Sequence, residues 1–181
     1  MEGRARRAVF LDRDGVIIQE VDYLRRASQL KLIAGAARAI ARLRKAGFKV
    51  VVVTNQSGVG RGYLTLTSLR RIHAVMRRFV AQGGAKLDAL YVCPHLPSDG
   101  CSCRKPALGM LRQAQQRFTL DLKRSYFVGD STTDVLTGRR AGCTAILVRT
   151  GKGGRDGRYR ARPHRTCADL PAAAAWILGQ A

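Results

Sequence analysis

The sequence predicts a doubly wound α/β fold around a mostly parallel sheet, and two observations support this. Short apolar segments rich in valine alternate with longer segments whose apolar residues recur at helical spacing. Four of the apolar segments are followed directly by polar residues of the types that bind metals or take part in catalysis. This is expected where parallel strands end at one edge of a sheet. We therefore expect a functional site at that edge.

The apolar segments are nearly continuous, which is typical of parallel strands covered by helices on both faces. Five are predicted as strands, at residues 8–11, 49–53, 90–92, 126–128 and 145–148. Five helices are predicted at residues 36–46, 67–82, 107–118, 132–141 and 168–178. On the second of these helices the arginines are expected to face solvent, and His73 is expected at the surface.

A chain of 181 residues fits a single domain. Its expected parts within residues 1–181 are a core at about 8–150, a basic glycine-rich loop at 151–165 and the helix at 168–178. The predicted elements fill the intervals 12–54 and 54–105, so no large cap domain is expected. Neither a membrane span of roughly 18 apolar residues nor a secretory signal is apparent, and a cytoplasmic protein is expected.

The chain is strongly basic, with a net charge of +21 from 33 lysines and arginines against 12 acidic residues. The cations are scattered and the aromatic content is only 6%, which argues against a nucleic-acid partner and favours phosphorylated substrates. Residues 151–158 are interpreted as a mobile surface loop rather than as a phosphate or RNA contact. We expect a monomer.

Carboxylates follow two of the predicted strands. Asp12 and Asp14 leave the first strand two residues apart and can face one site, whereas Arg13 is expected to point away. Asp130 follows another strand and can supply a third carboxylate for Mg²⁺, which prefers oxygen ligands. Asp134 lies one helical turn later and can support the same site or the N-terminus of its own helix.

Thr54, Asn55 and Lys105 offer a hydroxyl, an amide and a positive charge near the same edge. Such groups hold the oxygens of a phosphoryl group during its transfer. With a carboxylate nucleophile and a metal, they indicate phosphoryl transfer through an aspartyl-phosphate.

Cysteines cluster after the third strand. Cys93, His95, Cys101 and Cys103 supply four ligands of the kind that bind tetrahedral zinc, and an odd total of 5 cysteines argues against a disulfide framework. Four protein ligands leave no open position for water, so a structural zinc-bound loop is expected. Cys143 and Cys167 stand apart and are expected to be buried thiols.

Four segments, FLDRDGV, VVVTNQSG, CRKP and VGDSTTD, resemble in order and spacing the four motifs of the haloacid dehalogenase-type (HAD) phosphatases. Two further segments, CPH and TNQSGVGRG, resemble one branch of this family in particular, which contains heptose bisphosphate 7-phosphatases and histidinol phosphatases. The resemblance covers about residues 9–150 and implies the HAD-like Rossmannoid fold.

This resemblance implies an Mg²⁺-dependent phosphatase that removes the 7-phosphate of D-glycero-D-manno-heptose 1,7-bisphosphate, for nucleotide-activated heptose biosynthesis. Asp12 would be the nucleophile, Asp14 the general acid and base, and Thr54 and Lys105 the groups that stabilise the phosphoryl group. The implied Mg²⁺ ligands are Asp12, the backbone carbonyl of Asp14, and Asp130. The implied zinc ligands are Cys93, His95, Cys101 and Cys103. The implied substrate contacts are Glu20, Val21, Asp22, Tyr23, Thr54, Asn55, Gln56, Ser57, Arg104 and Lys105.

Three alternatives remain open at the level of sequence. Histidinol phosphate could be the substrate in place of the heptose bisphosphate. The open site and the charge of +21 would also suit a nucleic-acid 3′-phosphatase, or a zinc-containing nucleic-acid-binding module without activity.

Overall fold

A computed structural model describes residues 6–180 of the protein. Residues 1–5 and 181 of the expected single domain lie outside the described residues.

A single sheet of six parallel strands forms the centre of the fold, in the order β3-β2-β1-β4-β5-β6. The strands are β1 (Ala8–Leu11), β2 (Lys49–Asn55), β3 (Ala89–Cys93), β4 (Tyr126–Gly129), β5 (Thr144–Val148) and β6 (Arg165–Cys167). The five strands predicted from sequence are confirmed, and β6 was missed. That strand has only three residues, two of them exposed, so it lacks the continuous apolar pattern of the others.

Five helices follow the strands in chain order. They are α1 (Ala36–Lys45), α2 (Leu66–Gln82), α3 (Gly109–Phe118), α4 (Thr132–Arg140) and α5 (Leu170–Gly179). Side-chain oxygens of Thr65, Ser131 and Asp169 accept hydrogen bonds from backbone N–H groups and so define where α2, α4 and α5 begin. All five predicted helices are present, with small shifts at their ends.

Helices cover both faces of the sheet, as the apolar strands predict. Along β1, Val9 and Leu11 pack into the cluster formed with α1, α2 and α5, whereas Ala8 and Phe10 pack into the cluster formed with α3. This alternation follows from the two-residue period of a strand. The predicted doubly wound α/β fold is therefore confirmed.

The central position of β1 determines where the site forms. Leu11 pairs with Val52 of β2 on one side and with Val128 of β4 on the other. Because all the strands are parallel, the residues that follow β1, β2 and β4 meet at one edge. Within residues 6–180 no cap domain is inserted, and none of the described helices is long and apolar enough to cross a membrane.

Candidate active site

Asp12 follows β1 and meets a buried lysine. Its Oδ1 lies 2.9 Å from Lys105 Nζ and accepts a hydrogen bond of 2.8 Å from the Arg13 backbone N–H. Lys105 is 4% exposed, and its ammonium also lies 2.6 Å from Asp134 Oδ1. Burial opposes the charge, but Asp12 and Asp134 together raise the pKa of Lys105. The lysine therefore stays cationic between two carboxylates.

Asp130 completes a cluster of carboxylates that could hold a metal ion. Asp12, Asp130 and Asp134 each offer an oxygen atom, and these atoms lie within 4.8 Å of one another. Burial, followed by the charges of Asp12 and Asp134, raises the pKa of Asp130 to about 8. Two buried carboxylates and a partly buried one, with one nearby lysine, leave excess negative charge, which a divalent cation would neutralise.

The hydrogen bonds show which oxygens are left for such an ion. Asp134 uses Oδ1 for Lys105 and Oδ2 for Ser131. Among residues 6–180, Asp12 Oδ2, Asp130 Oδ1 and the backbone carbonyl of Asp14 accept no hydrogen bond. These three oxygens belong to the three residues predicted as Mg²⁺ ligands, and oxygen donors fit that ion. Asp134 forms the capping box of α4 with Ser131 and contacts Lys105, so it lies where either of its predicted roles would place it.

Asp14 is held by a network that the sequence did not predict. Arg13 was expected to point away, but its guanidinium folds back and donates from Nε to Asp14 Oδ2 at 3.0 Å and from Nη2 to Asp14 Oδ1 at 2.8 Å. Gln56 also donates to Asp14 Oδ2, at 2.8 Å, and to Thr54 Oγ1 at 2.9 Å. The predicted acid and base is thereby fixed next to the predicted phosphoryl-binding hydroxyl.

His73 closes this network from α2. It was expected at the surface, but it is 7% exposed and its Nε2 lies 3.0 Å from Arg13 Nη1. Burial, followed by the charges of Arg13 and Arg77, lowers the pKa of His73 to about 3. A neutral imidazole can accept the hydrogen bond from Arg13, which explains why this histidine is buried.

The cysteine cluster has the geometry of a zinc site. Cys93 Sγ lies 3.5 Å from Cys101 Sγ and 3.6 Å from His95 Nδ1. Cys103 Sγ lies 3.4 Å from Cys101 Sγ and 3.2 Å from His95 Nδ1. Tetrahedral zinc with bonds of roughly 2.0–2.3 Å places its ligands about 3.3–3.8 Å apart, close to these separations, so the four residues could hold the ion. All five cysteines are free thiols, and the predicted burial of Cys143 and Cys167 is confirmed.

The end of the cysteine cluster leads directly to the buried lysine, Lys105. Arg104 follows Cys103 and donates from Nη1 to the carbonyl of His95 at 3.1 Å. The side chain of Asn55, a predicted substrate contact, holds the backbone of Lys105, accepting from Lys105 N at 3.0 Å and donating to Lys105 O at 3.1 Å. Lys105 is thus held by Asn55 of β2 and directly follows the segment that carries the cysteine cluster.

A cavity of about 610 Å³ opens above these groups. Among the predicted site residues, those that line it are Asp14, Glu20, Val21, Asp22, Tyr23, Gln56, Ser57 and Arg104. Asp12, Thr54, Lys105 and Asp130 are not part of the lining. Thr54 accepts a hydrogen bond from Gln56, and Asp130 accepts one from the backbone of Lys152, two residues that do line the cavity. The volume lies within the range of about 300–1,000 Å³ that is typical of small-molecule sites.

The glycine-rich segment also belongs to the site, which the sequence interpretation missed. Gly151 and Gly15 face each other across the Asp130 carboxylate, and both have positive φ, +62° and +72°. Lys152 N donates to Asp130 Oδ2 at 2.7 Å, and Gly154 N donates to Asp130 O at 2.7 Å. Residues 151–158 are therefore held by hydrogen bonds against the edge of the sheet where Asp130 lies.

Comparison with known proteins agrees with this arrangement. Two family models match: "Haloacid dehalogenase-like hydrolase" over residues 9–69 and "HAD-hydrolase-like" over residues 102–173. A curated relative from Bordetella bronchiseptica, named D-glycero-beta-D-manno-heptose-1,7-bisphosphate 7-phosphatase, is 42% identical over 96% of this chain and 98% of its own. The chain belongs to the haloacid dehalogenase-like hydrolases.

Other members of this family support the same placement. A Pseudomonas aeruginosa protein of the same name is 45% identical over 82% of this chain and 84% of its own. The crystal structure of D,D-heptose 1,7-bisphosphate phosphatase from B. bronchiseptica, complexed with magnesium and phosphate, matches with a TM-score of 0.90 at 41% identity, covering 97% of this chain and 99% of that one. The resemblance inferred from the motifs is confirmed, and the chain is a phosphoric monoester hydrolase of the HAD family.

Proposed function

We propose that this HAD phosphatase hydrolyses the 7-phosphate of D-glycero-D-manno-heptose 1,7-bisphosphate through an aspartyl-phosphate on Asp12. The names and high coverage of the relatives support the substrate. The observation that carries the chemistry is the Asp12–Lys105 contact of 2.9 Å, which fixes one carboxylate oxygen beside a permanent cation. A nucleophile and an electrostatic stabiliser are thereby placed side by side.

In the first step, Asp12 Oδ1 attacks phosphorus while the bond between phosphorus and the sugar oxygen breaks. Asp14 donates its proton to the leaving sugar oxygen, which departs as an alcohol. Lys105 and Thr54 offset the negative charge on the phosphoryl oxygens during the transfer. The products of this step are the alcohol and a phosphorylated Asp12.

In the second step, Asp14 is a carboxylate and removes a proton from water as the water oxygen attacks phosphorus. The bond between phosphorus and Asp12 breaks, inorganic phosphate leaves, and Asp14 is again protonated for the next cycle. Arg13 and Gln56 hold Asp14 in position for both transfers.

Asp12, the Asp14 carbonyl and Asp130 would hold Mg²⁺ through the three oxygens that have no other partner. When bound, the ion supplies positive charge to the phosphate and neutralises the carboxylate cluster. We also propose that zinc at Cys93, His95, Cys101 and Cys103 is structural, because all four positions are taken by protein.

A phosphate-release assay over several substrates tests this function. We expect heptose 1,7-bisphosphate to be preferred over histidinol phosphate and over oligonucleotide 3′-phosphates, in the presence of Mg²⁺ and much less without it. Asp12→Asn should abolish turnover with little change in melting temperature. A preference for histidinol phosphate or for oligonucleotide ends would show that this compound, and not the heptose bisphosphate, is the substrate. Salt-dependent binding of RNA or duplex DNA without any hydrolysis would show that the protein is a nucleic-acid-binding module and not a phosphatase.

We further propose that residues 1–181 act as one monomeric domain. We also propose a cytoplasmic location, because free thiols and thiolate ligands for zinc are typical of a reducing compartment. Light scattering during size-exclusion chromatography would show a mass near 19.8 kDa for the monomer.

A further inference from the structure

The basic loop, residues 151–158, is anchored at both ends to the junction of β4 and α4. Near its start, Lys152 N and Gly154 N donate to the side chain and the backbone of Asp130, each at 2.7 Å. Near its end, the carboxylate of Asp156 accepts from Thr132 N and Thr132 Oγ1, each at 2.7 Å. The anchors are backbone groups and one acidic side chain, so the cationic side chains of the loop are not needed to hold it.

Three of those cationic side chains, on Lys152, Arg155 and Arg158, line the cavity. All three residues are exposed, and within residues 6–180 none of them forms an ion pair within 4.0 Å. Cations that line a concave site, with no carboxylate close enough to form an ion pair, attract an anionic ligand. The planar guanidinium of arginine is well suited to bind the oxygens of a phosphate group in pairs.

The three cations divide into two positions. The backbone N–H of Lys152 donates to Asp130 Oδ2 at 2.7 Å, so Lys152 lies beside the carboxylate cluster. Arg155 and Arg158 come later in the loop, beyond the contact with Asp130. They share the cavity with Asp14, and also with the hydroxyl groups of Ser131 and Thr133.

We propose that Arg155 and Arg158 form a second anion subsite, which binds the phosphate group of the substrate that is not hydrolysed. One ligand in the cavity would then place one phosphate at Asp12 and a second phosphate at the basic loop. The subsite selects sugars that carry two phosphate monoesters over those that carry one. This inference rests on the proposed function and adds the residues that would determine its specificity.

The test compares heptose 1,7-bisphosphate with heptose 7-phosphate, using the double variant Arg155→Gln/Arg158→Gln. Loss of charge-assisted hydrogen bonds to the second phosphate should lower kcat/KM for the bisphosphate by about 10- to 100-fold. The kcat/KM for heptose 7-phosphate and for p-nitrophenyl phosphate should hardly change. Unchanged activity on these two substrates would also show that the variant is folded. Arg155→Lys/Arg158→Lys retains the charges and should recover part of the selectivity.

Arg160→Gln is the matched control, because Arg160 is exposed and close in sequence but does not line the cavity. It removes one charge from the same surface and should leave the preference for the bisphosphate intact. If kcat/KM falls equally for both heptose substrates, or falls as much in the Arg160 variant, the cations act only by general electrostatic attraction. Either result would overturn the subsite.

The wild-type protein separates failure of the subsite from failure of the proposed function. Hydrolysis of p-nitrophenyl phosphate without activity on either heptose phosphate overturns the proposed function and the inference with it. A wild-type preference for the bisphosphate that survives in the double glutamine variant overturns only the subsite.

Discussion

Lys105 Nζ lies between two carboxylates, 2.9 Å from Asp12 Oδ1 and 2.6 Å from Asp134 Oδ1. The lysine is 4% exposed, so both contacts are shielded from water. Removing one partner of a buried ion pair leaves uncompensated charge, which typically costs about 3–5 kcal/mol. Loss of the lysine alone should therefore destabilise the fold, and it would also remove a group from the proposed chemistry.

We expect Lys105→Met to lower the free energy of unfolding at pH 7.5 by about 3–5 kcal/mol, because Asp134 would stay buried, and Asp12 partly buried, without a cation. Phosphatase activity should be lost in the same variant. Urea unfolding and a phosphate-release assay measure the two effects.

Lys123→Met is the matched control, since Lys123 is exposed and should change stability by less than about 0.5 kcal/mol. A Lys105 variant as stable as this control would contradict the ion-pair assignment.

Arg13 is predicted to act by positioning Asp14. Lysine retains the charge but cannot donate at once to both oxygens of Asp14, to Gln56 and to His73. We expect Arg13→Lys to lower kcat by about 10- to 100-fold, within the contribution of a general acid and base, while KM changes little.

Steady-state kinetics on the bisphosphate measure this effect, with Arg71→Lys on the exposed face of α2 as the control. Full kcat in the Arg13 variant would show that Gln56 alone holds Asp14.

His73 makes stability depend on pH. Its pKa is about 3 in the folded protein, mainly because of burial, and about 6.5 when unfolded. Between these values the unfolded chain binds a proton that the folded protein does not, so stability falls as the pH decreases below about 6.5. The slope from this one group is at most about 1.4 kcal/mol per pH unit.

His73→Gln should remove this part of the slope while leaving a neutral acceptor for Arg13. The measurement is the free energy of unfolding of both proteins between pH 8 and pH 4. Parallel curves for the two proteins would contradict a neutral, buried histidine.

The sequence predicted those parts of the site that depend on where strands end. Asp12, Thr54 and Asp130 directly follow or end apolar segments, so a parallel sheet alone brings them together. The Arg13 network could not be predicted in this way. Its partners Gln56 and His73 are 43 and 60 residues away along the chain, and the two-residue period of a strand predicts only that Arg13 points away from its neighbours.

The role of the basic loop was missed for a related reason. Its glycines and arginines are typical of a solvated loop, and the partners that hold it, Asp130 and Thr132, are distant in sequence. The repeated glycines were the available signal, because Gly151 can adopt a positive φ and approach Asp130 without a Cβ atom.

Zinc removal should disturb catalysis indirectly, by releasing the segment from Cys101 to Lys105. We expect protein stripped of zinc and then supplied with excess Mg²⁺ to lose activity on the order of 10²-fold, the usual effect of a displacement of about 1 Å at a catalytic group. Renewed addition of zinc should restore it. Zinc content and kcat are measured on the same samples.

Cys167→Ser provides a control for loss of a thiol outside the cluster, and this variant should keep both zinc and activity. Recovery of full activity with Mg²⁺ alone would show that zinc is not needed to hold Lys105.

Gly15 is predicted to be essential for two separate reasons. Its φ of +72° is costly for any residue with a side chain, and a Cβ atom would lie 2.8 Å from Asp130 Cγ and 3.0 Å from Gly151 Cα. Gly62 has nearly the same φ, +73°, but no atom lies within 4 Å of its Cβ position. Comparison of the two alanine variants therefore separates backbone strain from steric overlap.

Gly62→Ala should cost about 1–2 kcal/mol of unfolding free energy, the usual cost of the left-handed conformation, and should keep activity. Gly15→Ala should cost more than that and should lose activity, because Asp130 and Gly151 must both move. The difference in unfolding free energy between the variants measures the overlap at the carboxylate. Equal losses and unchanged activity in both variants would mean that Asp130 and the basic loop can move apart freely, which their hydrogen bonds of 2.7 Å argue against.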